Sequence, residues 1–311
     1  MNLFKAIVLK AISALMFALL SACVRYLGET GVPLGQVVFF RAAFAIVPVL
    51  LIYAWRRELA AAFRTSRPLG HLGRGLISVA GMFLNFASLA RLPLVDATAI
   101  SFAAPLITVA FAAMFLGERV RVYRWSAIAV GFAGIIVMLW PYLNLAQYAA
   151  GGSASAKATI GAVCGLIAAF TNAGSVIQTR RLTDTETTSS IVFYFSLYCA
   201  LAGLATLPLG WVWPSGLQLA VLIVSGVIGG LAHIVLTSSY RYAPASLLAP
   251  VDYTLMIWAF VLGYVLFGEL PTIYAYVGSV IVAGSGIFVI WRERQLGLRR
   301  VREAEGPANV S

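Results

Sequence analysis

Few residues in this 311-residue chain are equipped for chemistry, and each lies in an apolar run. Asp252 is the one carboxylate read as lying well inside such a run, His233 falls at the middle of another, and Arg41 and Lys10 stand a short way in from the ends of theirs. An intramembrane carboxylate can hold a cation or carry a coupling proton. It can also be a structural group paired with Arg241 or with hydroxyls of another run. His233 can relay protons near neutral pH or serve as a neutral, hydrogen-bonded core residue. Arg41 can contact a substrate, pair structurally or snorkel to the surface, and Lys10 fits snorkelling best.

A second tier is uncharged. Asn85, Ser101, Asn172, Ser175 and Thr237 can line a cavity or join helices by hydrogen bonds. Phe83, Phe86, Phe102, Phe170, Tyr253 and Trp258 offer flat faces to a ring system, or pack and face lipid. This inventory is too thin for catalysis: there is no HExxH motif, no pair of intramembrane aspartates and no serine–histidine or serine–lysine pairing. No cofactor or metal is expected. Cys23, Cys164 and Cys199 are odd in number and sit in apolar runs, which fits small buried hydrophobes. No glycine-rich phosphate loop points to ATP, and no charge ring or filter motif points to a channel.

The elements that carry these residues follow from composition. Apolar residues make up 61% of the chain, charged residues 11%, and the mean hydropathy is +0.92, too apolar for a water-facing surface. A helix crosses the hydrocarbon layer in about 20 residues. Runs of that kind occur at about 4–26, 34–55, 74–91, 94–117, 123–141, 158–179, 189–212, 217–240, 245–268 and 272–291. The expected fold is therefore all-α: a polytopic membrane protein of ten transmembrane helices. The net charge of +11 forms no basic stripe suited to nucleic acid. With the N-terminus inside, 17 Lys and Arg fall in inner segments and three, Arg25, Arg91 and Lys157, in outer ones. That bias places both termini in the cytoplasm. The first run resembles a secretory signal, with Leu20-Ser21-Ala22-Cys23 as a lipoprotein-like box, but it is long enough to span and is read as the first helix.

A slide of 151 residues superposes 75–140 on 226–291 without a gap. Pro93 meets Pro244, Gly117-Glu118 meets Gly268-Glu269, Tyr123 meets Tyr274 and Trp140 meets Trp291. A slide of 155 aligns the first run with the sixth, setting Arg25 on Arg180. The chain divides into a first five-helix repeat (1–141), a linker (142–157), a second repeat (158–292) and a cytoplasmic tail (293–311). Five is odd, so the repeats insert with opposite orientation, an arrangement suited to alternating access. The repeated Gly-Glu has a structural reading: glycine lets the chain leave the helix, and the carboxylate bonds neighbouring backbone or basic groups.

Ten spans in two halves, Pro93…Gly117-Glu118, Pro244…Gly268-Glu269 and Phe40-Arg41 early in the second span resemble the EamA-type transporters of the drug/metabolite transporter superfamily. The likeness covers about residues 4–292. It implies a secondary carrier of the bacterial inner membrane, a monomer or homodimer, with a central cavity lined by the first, third, fourth, sixth, eighth and ninth spans. VVFFR at 37–41, TSRPLGHLGRGL at 65–76 and YRWSAIAVGFAGIIVML at 123–139 are similar to stretches of S-adenosylmethionine and riboflavin carriers of that superfamily. A cavity with few fixed charges and many aromatics points first to a planar, riboflavin-like vitamin taken up from outside. S-adenosylmethionine uptake and amino-acid or metabolite export are the alternatives, and a lipid-linked flippase or scaffold is the alternative of another class. The expected substrate contacts are Asn85, Ser101, Phe102, Asn172, His233, Asp252, Tyr253 and Trp258, with Arg41 and Asp252 as coupling or structural charges.

Overall fold

The computed structural model describes residues 3–55, 65–116, 122–142, 153–183, 185–186, 188–239, 242 and 251–304. Among them there is no strand. The α-helices are α1 (Leu3–Glu29), α2 (Leu34–Trp55), α3 (Pro68–Leu89), α4 (Leu94–Ser101), α5 (Ala103–Leu116), α6 (Val122–Leu139), α7 (Ser153–Thr183), α8 (Thr188–Leu204), α9 (Gly216–Ser239), α10 (Thr254–Phe267) and α11 (Ile273–Ala304). Eight helical stretches are long and apolar enough to cross a membrane, α4 and α5 counting together as Leu94–Phe115, and two shorter apolar stretches, Thr254–Phe267 and Ile273–Val289, follow. Helices are what such a sequence must form, because hydrocarbon offers no partner to a free backbone group. Gly117, Glu118, Arg241, Pro244 and most of the linker lie outside the described residues. α7 already begins at Ser153, within the stretch read as linker.

Two helices are interrupted where the sequence shows only apolar runs. A turn at Phe102 separates α4 from α5, and Phe102 N–H bonds the Ala99 carbonyl at 3.1 Å. Pro105 follows, and its missing N–H leaves the Ser101 carbonyl without its helical donor. A second turn stands at Tyr253, between helical residues 251–252 and α10. α10 ends at Gly268, whose φ of 64° is the left-handed cap that glycine adopts freely.

Contacts between helix ends sort the molecule into two ends. At the end bearing the start of α1, Lys5 stacks on Tyr242 at 4.5 Å, Arg181 donates to the Phe115 carbonyl at 3.0 Å, and Glu186 binds Thr65, Ser66 and Arg67. At the far end, Gln218 donates to the Thr30 carbonyl at 3.3 Å, Gln36 to that of Val212 at 3.0 Å, and Thr159 to that of Tyr142 at 2.9 Å.

α1 packs on α9 and α10, α7 on α3 and α5, α2 on α8 and α9, and α6 on α11. Small residues permit this closeness, since lipid tails give apolar helices no drive to associate. A Cβ on Gly278 would lie 2.6 Å from the Gly134 carbonyl oxygen, and one on Gly230 would lie 2.7 Å from that of Ala45. α6–α11 and α2–α9 could not meet so closely with larger residues there.

Candidate substrate site

The two helix breaks face each other. The rings of Phe102 and Tyr253 stack with centroids 5.5 Å apart and planes at 25°. These residues are also partners in the 151-residue slide, so each repeat breaks at the same place and contributes one ring. Phe102 is buried and Tyr253 half-buried. Tyr253 lies so close to Gly286 of α11 that any Cβ there would overlap its hydroxyl. Ser101 turns its hydroxyl onto its own helix, bonding the Thr98 carbonyl at 2.6 Å. Asn85 and Trp258 are half-buried, and Asn172 is exposed on α7.

Asp252, beside the second ring, bonds Lys10 Nζ through Oδ1 at 2.7 Å. The sequence offered Arg241 or hydroxyls as its structural partners; the carboxylate instead meets the lysine of α1. Lys10 does not snorkel: its side chain is 3% exposed, whereas that of Asp252 is 54% exposed. Lipid could not solvate a half-exposed carboxylate, so the free side of Asp252 is one that water reaches.

Arg41 departs further from expectation. It does not reach the surface but is 7% exposed within the bundle. Among the described residues, no carboxylate pairs with it. Nη1 meets Met82 Sδ at 3.8 Å and Nε has no partner. His233 lies one turn beyond Gly229, which borders the guanidinium, and its ring packs edge-on against Phe17 at 5.1 Å. Met82 and His233 are themselves repeat partners.

The far end holds a network that the sequence did not single out. Arg25 Nη2 bonds Glu269 Oε1 at 2.9 Å and Glu29 Oε1 at 2.8 Å. Glu269 Oε2 accepts the Leu94 N–H at 2.7 Å, capping α4. Nearby, the Tyr142 hydroxyl donates to Asp96, which is 4% exposed. Arg25 and Glu269 are each 13% exposed, which ties the far ends of α1, α4 and α10 together. The Gly-Glu of the second repeat thus does what its chemistry suggested.

At the opposite end, Oε1 of Glu186 accepts the backbone N–H groups of Ser66 and Arg67 and the hydroxyls of Ser66 and Thr65, all within 3.0 Å. Burial raises this carboxyl's pKa, but the Ser66 and Thr65 hydrogen bonds, with His71 Nε2 at 3.4 Å, outweigh it and hold it at about 2. The carboxylate also completes the first turn of α3. A groove between α6 and α11, lined by Val130, Ile281 and Phe288, has no charged side chain, and its two hydroxyls, Ser126 and Ser285, donate to carbonyls of their own helices.

These features define a polytopic α-helical membrane protein with charges and stacked rings inside the bundle. The profile of the EamA-like transporter family matches residues 4–140 and 159–292, and the chain belongs to that family. It is 29% identical to an S-adenosylmethionine uptake transporter of Rickettsia felis, covering 89% of each chain. It is 27% identical to a riboflavin transporter of Rhizobium johnstonii (94% of this chain, 91% of the other) and 29% identical to a pseudopaline exporter of Pseudomonas aeruginosa (91% and 95%). A solved crystal structure shares the fold with a TM-score of 0.64 at 19% identity, covering 90% of this chain and 95% of that one.

Proposed function

We propose that the protein is a secondary-active carrier that moves a small, ring-bearing cationic metabolite of the S-adenosylmethionine kind across the bacterial inner membrane by alternating access. The carrying observation is the pair of helix breaks that stack Phe102 on Tyr253 next to the half-exposed Asp252. Discontinuous helices at the interface of two repeats are where such carriers hold their solutes. A stacked platform suits a purine or flavin ring, and a carboxylate with one oxygen left to water suits a cation. Riboflavin-like uptake has the rings in its favour; S-adenosylmethionine has the rings and the carboxylate.

The architecture belongs to the same proposal. The chain makes ten crossings in two inverted halves, 1–141 and 158–292, with the linker at 142–157 and the tail at 293–311. Exchanging the halves turns the α1–α9 contact into α7–α3, α1–α10 into α7–α5 and α2–α9 into α8–α3, and each of these contacts is present. Both termini are cytoplasmic by the arginine bias, so the free side of Asp252 faces inward. Asn85, Ser101, Asn172, His233 and Trp258 line the path around the rings. The protein is not an enzyme and uses no ATP.

The test is uptake of labelled S-adenosylmethionine and of riboflavin by purified protein in liposomes. Accumulation of the first, reduced at least tenfold by Asp252→Asn in a variant that keeps its melting temperature, is the expected result. Movement of neither solute, with lipid movement instead, replaces this reading with a flippase.

A further inference from the structure

Among the described residues, the guanidinium of Arg41 is a charge in the interior with no counter-charge. Burying an ion costs several kcal/mol unless a partner offsets it, and here the contacts supply only a thioether sulfur at 3.8 Å. Its surroundings are not uniformly tight. Three glycines of α9 face this region. At Gly226 and Gly230 an added Cβ would press on backbone, 2.9 Å from the Phe40 carbonyl oxygen and 2.7 Å from that of Ala45. Those two glycines serve helix packing. At Gly229 a Cβ would lie 3.5 Å from Leu20, 3.6 Å from Arg41 Nε and 4.0 Å from Arg41 Nη2. These are ordinary contact distances, so there is room for a methyl-sized group beside the guanidinium, with no backbone pressing on it.

The edge that faces this room is the Nε–Nη2 edge, while Nη1 turns to Met82. Two parallel N–H groups on one edge of a guanidinium match the two oxygens of a carboxylate. Leu20 marks the level of this edge on α1, and Lys10, which holds Asp252, lies about 15 Å along the same helix at 1.5 Å per residue. A solute with a negative group at one end and a positive group at the other spans that separation.

We infer that Arg41 and Gly229 form a carboxylate subsite, so that the transported solute is an amino-acid-type zwitterion whose carboxylate forks onto the Nε–Nη2 edge. This rests on the carrier reading and narrows its substrate class. An arriving carboxylate supplies the missing counter-charge, and its departure restores an uncompensated ion, so an empty site is the less stable one. His233, one turn away, and Met82 flank the same spot from the two repeats.

The experiment measures binding by the purified full-length protein with matched probes. They are S-adenosylmethionine and its decarboxylated amine, tryptophan and tryptamine, and riboflavin as a neutral ring. The expected result is that the tightest probe carries a carboxylate and exceeds its amine by roughly 30-fold or more, the size of effect found when a buried charge pair loses one member. Arg41→Met then lowers the acid to the level of the amine. Gly229→Ala, which improves helix propensity and fits at contact distance, also weakens the acid while keeping or raising the melting temperature. Riboflavin as the tightest probe, an amine equal to its acid, no binding at all, or an acid-to-amine ratio unchanged by Gly229→Ala overturns the subsite. Uptake into liposomes is scored separately. Acid-selective binding without uptake sinks the carrier reading and leaves the subsite standing; uptake without acid selectivity does the reverse.

Discussion

The two ends of the bundle are tied in different ways. At the far end a three-residue charge chain, Glu29–Arg25–Glu269, is anchored to backbone through the Leu94 N–H, with Arg25 and Glu269 each 13% exposed and Glu29 43% exposed at its edge. At the end of the N-terminus the comparable pair, Lys10–Asp252, has one buried and one half-exposed member. The same helices, α1 and the ninth span, meet at both places. The difference is one of shielding: the contact through Glu269 is enclosed at the far end, whereas the Lys10–Asp252 contact leaves its carboxylate half-exposed, which on the proposed carrier reading is the end that opens. Among the described residues of the N-terminal end, Glu186 is held as firmly, and that contact joins α3 to the α7–α8 connection, away from Asp252.

The largest effect should follow from cutting the far-end clamp. Glu269→Gln leaves Arg25 with only Glu29 and weakens the cap on α4, and removing one member of a buried pair costs about 3 kcal/mol. The melting temperature should fall, and thiol labelling at the far end should rise. The double variant Arg25→Gln/Glu269→Gln should be less destabilised than the sum of the single changes; strict additivity would show that the pair clamps nothing.

The next effect separates function from stability. Gly286→Ala places a methyl where the Tyr253 hydroxyl stands. The ring end must swing, which breaks the stack on Phe102, while the surrounding helices keep their packing. Uptake should drop at least tenfold with a shift in stability under about 1 kcal/mol, since the ring gives way before the backbone does. Equal loss of stability and uptake would make the stacked pair a packing contact.

The Glu186 contribution is one of stability alone, and the smallest in its effect on uptake. Glu186→Gln removes a charge from four donors and should cost roughly 1–3 kcal/mol. Its sign with pH is fixed by the depressed pKa. The stabilisation is whole above the ordinary value of 4.5 and fades as pH falls toward about 2. Melting temperatures of the wild type should therefore drop between pH 5 and pH 3 by more than those of Glu186→Gln. Parallel curves would remove this carboxylate from the account.

Much of this was legible in the sequence, for reasons that differ by residue. Hydropathy marked the helices because lipid imposes the same demand on every span, and the left-handed cap at Gly268 followed from its place after VLF. Phe102, Tyr253 and Asp252 were singled out as polar or aromatic groups in apolar runs. Their meeting was not legible, because a helix break at Phe102 leaves no mark in an apolar run beyond Pro105. The partner of Asp252 escaped for a related reason. Lys10 is 242 positions away, and only the packing of α1 on the ninth span brings it there. Glu269 looked interfacial, since it follows a turn-forming glycine, and its contact with Arg25 largely buries it; Asp96, which the sequence did not single out, is buried against Tyr142.

The central claim is that α1 and the ninth span alternate between a clamp at one end and a clamp at the other. Pulsed electron–electron distance measurement tests it most directly, with spin labels at Thr30 and Leu270 across the far end and at Phe4 and Val251 across the opposite end. With S-adenosylmethionine and its decarboxylated amine added in turn to protein in lipid nanodiscs, the account predicts that a bound solute lengthens the first distance and shortens the second. Distances that stay fixed, or that change in the same sense at both ends, would contradict it.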